Sequence, residues 1–67
     1  MKKQQFEQLK VGDICVVKKG HDEGRKCRVL LIDGSSIVIK SLDGEYFRAC
    51  DVRRNLRITD WRQVDIA

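Results

Sequence analysis

In KCRVLLIDGSSIVIKSLDGEYF, residues 26–47, apolar side chains gather in two runs, and an Asp-Gly pair follows each, Asp33-Gly34 and Asp43-Gly44. Asp-Gly is a hairpin signal, because the primed turns that match strand twist need residues tolerant of positive φ. The runs are too short for helices and are rich in Val and Ile, so they read as strands over 26–33 and 36–41, with a third over 45–49. Three strands joined by two such turns make an antiparallel meander.

Outward from this meander, ICVVK (14–18) and LRIT (56–59) supply two more strand-length segments, and no window keeps a helical period over three turns. The expected class is therefore all-β. CDVRRN (50–55) has neither glycine nor alternation and fits one 3₁₀ or helical turn before the last strand, with Val52 inward and its arginines in water. Five short strands, one long early loop and that turn have the layout of an SH3-like small barrel, whose closure removes exposed sheet edges. Residues 11–59 hold the barrel, 1–10 form an N-terminal appendage and 60–67 a C-terminal tail. In FEQL (6–9), Phe6 and Leu9 would share one face of a helical turn laid over an open barrel end, and Trp61 would pack back on a core edge.

A chain of 67 residues supports a single core, and 42% apolar with 36% charged residues is the composition of a folded domain. The longest apolar runs, 14–17 and 29–32, are four residues each, against the roughly 20 that cross a bilayer. MKKQQFEQ at the start has no apolar stretch or cleavage site of a secretory signal, so the expected location is the cytoplasm. Cys15, Cys27 and Cys50 are odd in number and include no Cys-x-x-Cys pair, which argues against a disulfide framework or a zinc site. Reduced thiols are expected, with Cys50 the most accessible, and no metal or cofactor.

The net charge is +4, and its distribution is uneven. Lys18, Lys19, Arg25, Lys26 and Arg28 outnumber Asp22 and Glu23 in one segment, and Arg48, Arg53, Arg54 and Arg57 outnumber Asp51 in another, while 29–47 is net negative. Clustered Lys and Arg gain affinity for polyanions by releasing counterions from phosphates. His21 adds a ring to the first segment, but no Ser, Cys or carboxylate stands at a catalytic spacing from it, so the chain reads as non-enzymatic.

The stretch VGDICVVKKGHDEGRKCRVLLI (11–32) resembles the KOW motif of transcription-elongation factors and large-subunit ribosomal proteins. Gly12-Asp13, Cys15, Val17, Gly20, Gly24, Arg25, Lys26, Val29 and Ile32 fall at matching positions, and Cys27 stands where the pattern usually has a further glycine. The resemblance implies an SH3-like barrel that binds RNA rather than DNA, within ribosomal or transcription complexes. Gly12, Asp13, Gly20 and Gly24 would shape the loop, and Asp13 would bond nearby amides to start the first strand. The loop's Lys and Arg, with His21, would contact phosphate backbone, and Arg48, Arg53, Arg54 and Arg57 would extend that surface. Base stacking would need exposed aromatics, of which Tyr46, His21 and Trp61 are the candidates. The alternative class is a protein-interaction module, of phage or mobile-element type, working through a sheet edge or the Tyr46 and Trp61 region.

Overall fold

The computed structural model describes residues 1–48 and 54–67. A short helix α1 (Lys3–Glu7) precedes strands β1 (Ile14–Val17), β2 (Lys26–Asp33), β3 (Ser36–Ser41) and β4 (Asn55–Ile58). A 3₁₀ turn (Trp61–Gln63) then leads into β5 (Val64–Ile66). The five strands form one antiparallel sheet in the order β4-β3-β2-β1-β5, so the all-β class and the turn before the last strand stand as expected. No pairing joins β4 to β5 among the described residues. No helix among them is long and apolar enough to cross a membrane.

The elements differ from the expectation in two places. Residues 45–48 are not a strand: Phe47 is fully buried while the backbone around it joins no strand ladder among the described residues, so one inward aromatic anchors an irregular segment. The fifth strand comes instead from the expected tail, where Val64–Ile66 pairs with β1 through Cys15↔Ile66, Val16↔Asp65 and Val17↔Val64. The turn before the last strand is correspondingly the 3₁₀ turn at 61–63. Asp60 accepts the Arg62 amide there at 2.9 Å, and the Gln63 side chain takes the amides of Thr59 and Asp60 at 3.1 and 3.0 Å. These side chains satisfy backbone donors that the short turn leaves open. Of the helical turn expected within 50–55, residues 50–53 lie outside the described residues, and Asn55 already belongs to β4.

The core follows from strand alternation. Cys15 and Val17 of β1, Cys27 and Val29 of β2, Ile37 and Ile39 of β3, Ile58 and Val64 all point to one side, where Phe47 fills the centre. Phe6 and Leu9 close this side from the N-terminal segment, with Trp61 packed against them, as their spacing implies. The helix that carries Phe6 starts with the Gln5 side chain accepting the Lys2 amide at 2.9 Å. The Met1 ammonium lies 2.8 Å from Asp65 and, through that hydrogen bond, holds its carboxyl below the usual carboxylate range.

Between β2 and β3, Asp33 pairs with Ser36 across Gly34-Ser35, and Gly34 has φ +59°, the sign a type II′ turn takes at its first central position. The register set by that turn does not run the length of the hairpin. It shifts by one between Val29 and Leu31, which makes Leu30 the extra residue of a β-bulge.

Candidate functional site

The loop between β1 and β2 is pinned at both feet, since Val17 donates to Arg25 at 3.0 Å and Gly24 to Val17 at 2.8 Å. Gly20 and Gly24 both have φ +87°, a region L side chains rarely enter, so the two glycines shape this loop. Between them Asp22 turns inward. It is buried, accepts the Arg48 amide at 2.6 Å and lies 3.6 Å from the Arg25 guanidinium. Arg25 also donates to the Tyr46 carbonyl at 2.9 Å, stands 3.9 Å from Asp43, and lies over the Phe47 ring at 5.7 Å. With its side chain only 14% exposed, Arg25 fastens the loop to segment 42–48 rather than offering a free cation.

Asp43, beside it, is held below the ordinary carboxylate range mainly by the Ser41 hydroxyl, with help from the Glu45 amide. The cleft between loop and segment, about 430 Å³, has His21, Glu23 and Asp43 along with Lys26 and Arg48 on its walls. Mixed charge of this kind is no anion site. Lys18, Lys19 and His21 are exposed, and the Lys18 amide bonds the Gln63 carbonyl at 2.9 Å. Asp13 accepts the Lys10 amide at 2.9 Å, and Gly12 donates to Val29 at 2.8 Å, so the pair bonds nearby backbone at the entry to β1.

A cleaner concentration of positive charge lies on the outward face of the sheet. Arg28 of β2 is the cross-strand partner of Lys40 of β3, and Lys26 sits two residues along β2 on the same face. Ile14 and Val16 of β1 flank this row on one side and Asn55 of β4 on the other. Among the described residues none of Lys26, Arg28 and Lys40 has an ion-pair partner. The bulge produces the arrangement. A ladder continued unbroken from the Asp33–Ser36 turn would set Arg28 against Ser41; the extra residue sets it against Lys40 instead. The same bulge leaves Leu30 and Leu31 exposed beside the cations, at 39% and 50%.

The arginines of the second basic segment part company. Arg57 is opposite Val38 but spends its guanidinium on Ser36 at 2.8 Å and Asp33 at 3.3 Å. Arg54 stays near the row, since the next residue, Asn55, is the partner of Lys40; its guanidinium lies over the Tyr46 ring at 5.0 Å. Arg48 is exposed with its amide committed to Asp22, and Arg53 lies outside the described residues. Two shallow hollows border the row, one of about 270 Å³ against Arg28, Leu30, Lys40 and Leu42, the other of about 310 Å³ against Val38, Arg54 and Arg57.

Lys40 is the residue that sequence reasoning missed. As the lone charge in SIVIKS it had to face outward, but only the bulged register shows that it meets Arg28. Burial pushes the Cys15 thiol up to about 11 and the Cys27 thiol to about 12, so neither is a nucleophile at neutral pH. Among the described residues no group of three or more His, Cys, Asp or Glu could hold a metal ion. No family model, curated protein or solved structure matches the chain.

Proposed function

We propose that the protein is a non-enzymatic RNA-binding module that takes the phosphate backbone on the outward face of β2 and β3. The observation that carries this is the Arg28–Lys40 pair. Like charges directly opposite on neighbouring strands oppose folding, and among the described residues no acid relieves them. A phosphate between them would turn that repulsion into two charge-assisted contacts, and Lys26 would add a third along the strand. The resemblance of 11–32 to the KOW motif supports RNA over DNA, a ribosomal or transcription complex as the setting, the cytoplasm as the location, and an SH3-like curl of the sheet. Exposed Lys18, Lys19 and Arg48 extend the charge that steers a polyanion toward this face.

A salt titration of binding to a structured RNA by fluorescence anisotropy tests the proposal. Three phosphate contacts give a log–log slope of about −2 to −3, and the double substitution Arg28→Gln/Lys40→Gln should remove about two units of it. Absence of binding at low salt, or a slope that the double substitution leaves unchanged, would sink it.

One observation favours a second reading, a protein-interaction module: the bulge exposes three consecutive aliphatic residues, Leu30, Leu31 and Ile32. Under that reading Leu31→Asp abolishes association with a protein partner and leaves RNA affinity unchanged.

A further inference from the structure

We infer that Tyr46 and Arg54 form a stacking platform for an unpaired base, so that the RNA is single-stranded where it crosses this end of the sheet; the inference rests on the RNA-binding reading above. Tyr46 is 46% exposed, although the next residue, Phe47, is wholly buried. The backbone between them is held firmly. Arg25 bonds the Tyr46 carbonyl at 2.9 Å, Asp43 takes the Glu45 amide at 2.9 Å, and the Phe47 ring is locked in the core. A ring on so fixed a backbone loses little freedom when a base settles on it.

The Arg54 guanidinium lies over one face of that ring at 5.0 Å, and Tyr46 keeps 46% of its surface in solvent, so a base would take the opposite face. Arg54 also brings a cation to the edge of the platform, one residue from the cross-strand partner of Lys40. A base on that opposite face would thus have phosphate-binding cations within a nucleotide or so of it. Bases inside a duplex offer no free face, so the platform selects unpaired ones, with little preference among the four because each has a π-face. The other aromatic candidates do not compete. Trp61 packs against the core, and His21 stands in the mixed-charge cleft. Cation–π pairing on its own would stabilise the surface only slightly, and it does not require a half-exposed ring next to uncompensated cations.

The test uses three RNA probes with equal numbers of phosphates: a labelled oligouridylate, the same strand without bases, and a hairpin duplex. The protein should bind oligouridylate more tightly than the abasic strand. Tyr46→Leu should lose about 5- to 150-fold on oligouridylate and nothing on the abasic strand, with the salt slope unchanged. Tyr46→Phe should behave as the native protein. Should Tyr46→Leu fail to fold, the native protein's preference for oligouridylate over the abasic strand still decides. Equal binding of oligouridylate and abasic strand by the native protein, or full oligouridylate affinity in Tyr46→Leu, overturns the platform and leaves phosphate binding intact. Failure to bind any of the three at low salt overturns both.

Discussion

Replacing Lys40 by glutamine is expected to stabilise the fold and weaken RNA binding in one step. Lys40 faces Arg28 across the β2–β3 ladder with no acid between them among the described residues. A directly opposed like-charge pair costs roughly 0.2–1 kcal/mol, and exposure to solvent pulls the figure toward the lower end. For a domain of this size 1 kcal/mol moves Tm by about 4–8 °C, so Lys40→Gln should melt about 1–8 °C higher at low salt. Near 1 M salt, where the screening length falls to about 3 Å, the gain should vanish. Arg28→Gln should act alike, and the double substitution should gain less than the sum, because either single change already removes the repulsion. The RNA salt slope should fall by about one unit for each single change. Calorimetry at two salt concentrations, with anisotropy on the same samples, reads both quantities. A lower Tm for Lys40→Gln would refute the repulsion, and a raised Tm with an unaltered salt slope would leave the pair without a ligand.

Asp22→Ala removes the acceptor of the Arg48 amide and the nearest carboxylate to Arg25; it should cost about 1.5–3 kcal/mol, seen as a lower urea midpoint at constant slope. Phe47→Ala should cost about 3–5 kcal/mol, much of the roughly 3–10 kcal/mol expected for the whole domain, whereas Tyr46→Ala next to it should stay within about 0.5 kcal/mol. The thiols set an alkaline limit. Folding raises their pKa from the ordinary 9.0 to about 11 for Cys15 and about 12 for Cys27, so the neutral forms favour the fold. Their contribution is complete below pH 9.0 and is lost as pH climbs from there through the folded values, since the unfolded thiols ionise first. Urea unfolding on either side of pH 9.0 should show that fall in the native protein and not in Cys15→Val/Cys27→Val.

Alternation and turn chemistry were enough to read β1, β2, β3 and, to within a residue, β4, because both act between near neighbours. The hairpin closes at Asp33–Ser36 as Asp33-Gly34 implies, and Cys15, Val17, Cys27, Val29, Ile37 and Ile39 fall inward by period two. The same local logic placed Phe6, Leu9 and Trp61 against the core and made Gly20 and Gly24 loop formers. It misread 45–48, since an alternating run around one buried aromatic has the pattern of a strand but makes no ladder among the described residues.

Long-range pairing decided the remainder. Val64–Ile66 carries too little periodicity to be a strand until the edge of β1 offers it hydrogen bonds. Lys and Arg counts along the chain could not distinguish Arg25, which Asp22, Asp43 and the Tyr46 carbonyl claim, from Arg28, which no acid claims among the described residues. The meeting of Arg28 with Lys40 depends on a single extra residue in the ladder, and a shift of one position changes every cross-strand neighbour beyond it. The positions of the charges are local properties of the chain, but which charges stand together is a property of register, and register is settled only when the whole sheet packs on its core.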